Sequence, residues 1–226
     1  MAARMRFPPV RIAAFLVVAA AAATISGPGE AAGRATPVPP SPAVPPAALL
    51  PAAAIPGGPA ARDEFDVATE SSSSDRSDAT GCTAVVHGRL LGPDPATGRG
   101  FQSAVPGGQF SELLARTPHP PGLAAWTARA RHCARVTVDD QDVPTVSTLT
   151  LTPAPDVPGA TTETLSYQQV LTLPGQPAGL PGLRLRTVAI AADDVLLVLR
   201  DAGPTDLDLD TLAVTAWQHA VPRLGR

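Results

Sequence analysis

The chain has 226 residues, a formal net charge of −3, 27 prolines and 4% aromatic residues, with neither lysine nor asparagine. Its 17 arginines form no basic block, and nucleic-acid binding is excluded because a phosphate-binding surface needs clustered positive charge. Two cysteines and four scattered histidines, with no C-x-x-C and no H-x-x-x-H, leave a zinc site short of ligands.

The first segment, "MAARMRFPPVR", carries Arg4, Arg6 and Arg11. "IAAFLVVAAAAATI" follows without a charge. A basic start and a short apolar run are the layout of a secretory signal, and the run falls short of the roughly 20 residues a membrane crossing needs. We assign 1–33 as a signal peptide, with small residues from Ser26 to Ala35 offering cleavage positions. An uncleaved anchor is the alternative. No cysteine precedes Cys82, so a lipid-anchored thiol after the apolar run is not expected.

Residues 34–80 read as a disordered linker. "PVPPSPAVPPAALLPAAAIPGGPAA" favours polyproline II and a semi-rigid spacer. "ESSSSDRSDATG" buries too little apolar surface to offset chain entropy. The folded part is therefore expected at 81–226, long enough for one domain with its own core.

Within it, "CTAVVHGRLLG" is apolar and β-branched and breaks at Gly92-Pro93, and "GPDPATGRG" reads as a flexible loop. "GQFSELLART" places Phe110, Leu113 and Leu114 at helical spacing, and "GLAAWTARARHC" places Leu123, Trp126 and Ala130 on one side of a second helix. "ARVTVDD", "TVSTLTLT" and "TETLSYQQVLTL" read as strands. "LRLRTVAIA" and "VLLVLRDA" flank a two-aspartate turn as a hairpin, and the second is apolar on both faces, as a central strand would be. "TDLDLDTLAVTAWQHAV" is an amphipathic helix capped by Thr205 or Asp206. The expected fold is α+β: an antiparallel sheet of four to five strands, with helices packed on one face, preceded by a disordered Pro/Ser-rich tether.

Cys82 and Cys133 are a single pair in a chain expected to be exported, and such a pair is normally bridged. The bridge closes a loop of about 50 residues, worth roughly 4 kcal/mol in the chain-entropy model. A catalytic Cys133 would need a base. His132 adjoins it, but in a strand the two side chains point to opposite faces. Asp139, Asp140 and Asp142, like Asp193 and Asp194, suit turns between strands. Asp206, Asp208 and Asp210 resemble the start of a calcium loop. Thr211 and Trp217 stand where glycine and glutamate belong, and negative charge at a helix start accounts for the acids better. No G-x-S-x-G, S-x-x-K, phosphate loop or H-E-x-x-H occurs. Glutamate is scarce after residue 81, with Glu112 and Glu163 at no diagnostic motif. Trp126 and Trp217 are read as core residues rather than ligand-stacking platforms.

A cysteine after a low-complexity tether, the stretch "WTARARHCARVTV", the acidic turn "VDDQD" and the closing hairpin-plus-helix together resemble the actinobacterial extracytoplasmic sensor domain. That is the PknH-like extracellular domain of receptor serine/threonine kinases and its stand-alone secreted relatives. The resemblance spans residues 82–222 and rests on layout. It implies a groove beside the sheet for an unidentified extracellular ligand, and that one of the kinase domain's disulfides is missing here. It transfers no ligand-binding residue.

The sequence thus points to a secreted, non-enzymatic, sensor-like domain binding an unknown extracellular ligand or envelope component. No catalytic, cofactor or metal residues are assigned, and no stable membrane insertion is expected beyond the signal segment. Retention at the cell wall or by an uncleaved anchor fits the same reading. A cell-wall-acting hydrolase with a dispersed site and a structural envelope docking protein are the rival functions.

Overall fold

The computed structural model describes residues 43–57, 61–69, 81–91, 96–118, 122–140, 143–158, 162–177 and 180–225. The expected signal peptide at 1–33, the Ser/Asp run at 70–80, His119 and Asp142 lie outside the described residues, as do the side chains of Asp139 and Asp140.

Eight strands form one antiparallel sheet in the order β1-β2-β3-β8-β7-β6-β5-β4. They are β1 (Asp63–Thr69), β2 (Ala96–Val105), β3 (Gly108–Arg116), β4 (Arg135–Asp140), β5 (Val143–Thr152), β6 (Glu163–Thr172), β7 (Leu183–Ala192) and β8 (Val195–Ala202). Two meanders, β1–β3 and β4–β8, are joined where β3 pairs with β8. The α2 helix (Leu123–His132) carries the chain from β3 to the far edge. A single turn, α1 (Thr83–Val86), precedes β2, and α3 (Leu209–Ala220) follows β8.

The four to five strands expected from sequence become eight, and the reasons are local. "GQFSELLART" is β3. Phe110, Glu112 and Leu114 are all buried on one face at period two, a pattern that the spacing of Phe110, Leu113 and Leu114 conceals. The apparent loop "GPDPATGRG" runs into β2, whose glycines serve packing. A Cβ on Gly100 would collide with the Glu112 carbonyl and with the Phe65 ring of β1. "DEFDVAT", placed in the linker, is edge strand β1, whose acids discourage further pairing. The apolar, β-branched start of "CTAVVHGRLLG" forms the single helical turn α1. The other expected strands and helices form, with Asp208 rather than Thr205 or Asp206 capping α3 through Thr211 N.

The linker 34–80 is not uniformly disordered, because residues 43–57 pack on the domain. Pro46–Ala48 and Ala52–Ala54 are 3₁₀ turns, each entered from an extended proline. They bury Val44, Ala48, Leu49, Leu50 and Ile55.

Helices on one face is likewise corrected to cover on both. On the first face, α3 and residues 43–57 pack over Phe101, Phe110, Leu114, Val188, Ile190, Leu197 and Leu199. On the second, α1 and α2 pack over Leu149, Leu165, Tyr167, Ala189, Ala191, Leu196 and Val198. Each face receives alternate residues of β7 and β8, which is why "VLLVLRDA" has no polar side. Among the described residues, no helix is long and apolar enough to cross a membrane.

Replacing Gly100 by alanine is expected to cost about 1–3 kcal/mol in urea unfolding, through overpacking against β3 and Phe65. Gly122→Ala, whose Cβ would meet only the Ala125 Cβ at 3.6 Å, should stay within about 0.5 kcal/mol of the parent.

Candidate functional site

Two carboxyl side chains are buried in the floor of the first face, Glu112 on β3 and Asp201 on β8. Glu112 on β3 is fully buried, in register between Phe101 of β2 and Leu199 of β8. Strand alternation puts it there, since Phe110 and Leu114 flank it on the same side. Its carboxylate accepts the Leu50 N–H at 3.0 and 3.3 Å. Arg62, just ahead of β1, donates from Nη1 to the carbonyl of the same Leu50. The Arg62 guanidinium lies 4.0 Å above the centre of the Phe101 ring. One residue of the overlying chain is thus gripped at both backbone groups by two ionisable side chains. His219 Nε2, 3.0 Å from the Ala47 carbonyl, and Ser103 Oγ, donating to the Ala61 carbonyl at 3.3 Å, add further ties.

Burial pushes the Glu112 carboxyl up to about 7, against the opposing pull of the Leu50 N–H and the Arg62 charge. The same desolvation lowers Arg62 from its ordinary value, offset by Glu112 and Glu64. Arg62 Nε and Nη2 are buried with no hydrogen-bond partner among the described residues. An ion held under apolar cover with incomplete pairing is costly, and groups of this kind concentrate at functional sites.

The second face is polar where Val86–Arg89 crosses the sheet. Three carbonyls there each receive a side-chain donor: Gln169 Nε2 on Val86 at 2.8 Å, Arg200 Nη2 on Gly88 at 3.3 Å and Trp126 Nε1 on Arg89 at 3.1 Å. Gln169 also donates to Ser147 Oγ, and Arg200 to Thr187 Oγ1. Gly88 has φ +62°, and a Cβ there would run into the Arg200 guanidinium and the Tyr167 hydroxyl. The Tyr167 hydroxyl is buried without a partner among the described residues, under the Trp126 ring at 4.8 Å between centroids. A disulfide joins Cys82 to Cys133 and ties α1 to the end of α2. His132 is exposed as the last residue of α2, not part of a strand, and Cys133 caps that helix.

Other sequence-highlighted residues have structural work. Glu163 accepts the Ala124 N–H at the start of α2. Trp126 and Trp217 are core residues. Asp194 pairs with Arg116 at 2.7 Å. Asp201 is buried, accepts from Thr205 Oγ1 at 2.6 Å and lies 3.8 Å from Arg186. Asp208 is bonded to the Thr211 N–H and hydroxyl, which hold its carboxyl below the usual range. Among the described residues, no three His, Cys, Asp or Glu side chains converge as a metal site. A shallow, open depression on α3 is lined by Pro155, Asp210, Thr211, Val214 and Thr215, none of them a member of either polar cluster. Sequence reasoning passed over Glu112 and Arg62. The available signal was an acid at a period-two apolar position, hidden by the helical reading of β3.

No family model matches the sequence, and no curated protein matches it. The fold is similar to the crystal structure of the extracellular domain of PknH from Mycobacterium tuberculosis, with a TM-score of 0.53 at 14% identity. That match covers 80% of this chain and 94% of the PknH domain. Residues 81–226 make up less than two thirds of the chain, so the matched stretch extends N-terminal to Gly81. An X-ray structure of an uncharacterized protein from Mycobacterium smegmatis, the Rv0999 ortholog, matches 73% of this chain and 88% of its own at 13% identity. Its TM-score is 0.44.

A carboxyl raised from 4.5 to about 7 on folding takes up a proton between those values. Stability therefore falls as pH rises through that window and levels off above about 7. Urea unfolding from pH 5 to 8 should lose about 2–3 kcal/mol more in the parent than in Glu112→Gln.

Proposed function

We propose that this chain is an extracytoplasmic, non-enzymatic sensor-like domain that binds a ligand or partner at the cell envelope. The observation that carries the reading is the likeness of its fold to the PknH extracellular domain over nearly all of that domain. The Cys82–Cys133 disulfide fits a compartment outside the cytoplasm. The residue 1–33 signal peptide belongs to the same proposal, as does membership of the PknH-like family. A glycan-cleaving hydrolase draws no support from Glu112 or Glu163: Glu112 is sealed under Leu50 and Glu163 holds the start of α2.

Thermal-shift measurements on the exported chain against envelope glycans, lipids and muropeptides test the reading. One class should raise the melting temperature. Saturation at about a hundred times Kd corresponds to roughly 2.7 kcal/mol. Silence from all three classes, together with turnover of wall polymer, would favour the hydrolase. The exported protein should also show no alkylatable thiol until reductant is added, and two afterwards.

A further inference from the structure

We propose that the apolar face of β2 and β3 beside α3 is a groove for a proline- and alanine-rich peptide. Residues 43–57 fill it as a releasable strap whose latch is Glu112. The inference deepens the binding reading by naming where a partner docks and what it displaces.

Three observations support it. The strap adds no strand to the sheet. Its internal backbone bonds close its own 3₁₀ turns, and Glu112, Arg62 and His219 hold it at Leu50 and Ala47. Its remaining hold is burial of Val44, Ala48, Leu49, Leu50 and Ile55 over Phe101, Phe110, Leu114 and α3. Such a segment can leave without breaking a ladder, and it shows by its own chemistry what the groove accepts. Second, the grip reads backbone. A carboxylate for one N–H and a guanidinium for the C=O of the same residue would hold any non-proline residue at that point. Third, closure is what desolvates Glu112. The strap brings no charged side chain to it, and its in-register neighbours Phe101 and Leu199 are neutral. The charge facing it is Arg62, with Glu64 beyond. His219 on α3 meets the strap at Ala47.

An open strap lets water hydrate the carboxylate, so opening becomes easier as Glu112 ionises. For a carboxyl moving between 4.5 when hydrated and about 7 when covered, the open fraction rises on the order of tenfold from pH 6 to pH 8. An incoming peptide buries the same carboxylate. Its equilibrium competition with the strap therefore changes little with pH, while exchange through the open state accelerates.

Amide hydrogen exchange on the full exported chain, corrected for intrinsic rates, tests this. Protection of residues 43–57 should lie well below that of β8 at both pH values and fall about tenfold from pH 6 to pH 8, the factor by which Glu112 also lowers global protection. Glu112→Gln should flatten the dependence, and His219→Gln should leave it intact. A ¹³C-labelled peptide with the strap's sequence, at a few millimolar to match the tethered strap's effective concentration, should strip protection from the chain's own strap. The same peptide with Leu50→Pro, lacking the N–H, should not. Strap protection equal to that of β8 at both pH values, or a peptide that leaves it unchanged, overturns the proposal. A ligand class that stabilises the chain without touching strap protection would leave the binding reading standing and remove this groove as its site. Strap displacement with no response to any envelope class would do the reverse.

Discussion

β8 has no side that faces water. From Val195 to Leu199 every side chain is buried, odd positions against one layer and even positions against the other. Its neighbour β7 behaves in the same way from Val188 to Ala192. A sheet whose centre is apolar on both faces needs two covers, and most of the remaining chain serves as one or the other.

The covers are built differently. On the second face, short helices are fastened covalently and by hydrogen bonds. The disulfide ties α1 to α2, and three carbonyls of Val86–Arg89 take donors from Gln169, Arg200 and Trp126. On the first face, α3 spans β7 and β8, and residues 43–57 extend the cover over β2 and β3. That second part is proline- and alanine-rich and holds on through apolar burial and a few polar ties. Glu112 gives it specificity at an energetic cost. The carboxylate fixes Leu50 in one place, and its desolvation works against the closure that creates the contact.

The sequence was legible where one physical signal dominated. The run "VLLVLRDA" announced a doubly buried strand, the Asp193-Asp194 hairpin followed from turn chemistry, and α2 and α3 followed from helical spacing. It was misleading where composition and packing disagreed. Gly98 and Gly100 look like loop residues, but in β2 they make room for β3 and for Phe65. Prolines from 45 to 56 look like a spacer, but the leucines among them find an apolar floor contributed by strands far along the chain. Nothing local to Leu50 or Glu112 reveals that partnership, which spans 62 residues. The candidate site was therefore less readable than the fold around it. Its members are ordinary residues made unusual by long-range burial.

The likeness to the PknH extracellular domain extends N-terminal to Gly81, in keeping with a domain that begins well before the first cysteine. The most direct test compares urea unfolding of a chain starting at Ala61 with one starting at Ala43. Loss of the strap should lower the midpoint clearly and expose Phe101 and Phe110 to solvent probes, because five buried apolar side chains and the cover over β2 and β3 go with it. Equal midpoints and equal denaturant slopes for the two chains would show that residues 43–57 are a linker after all, and would contradict the two-cover account.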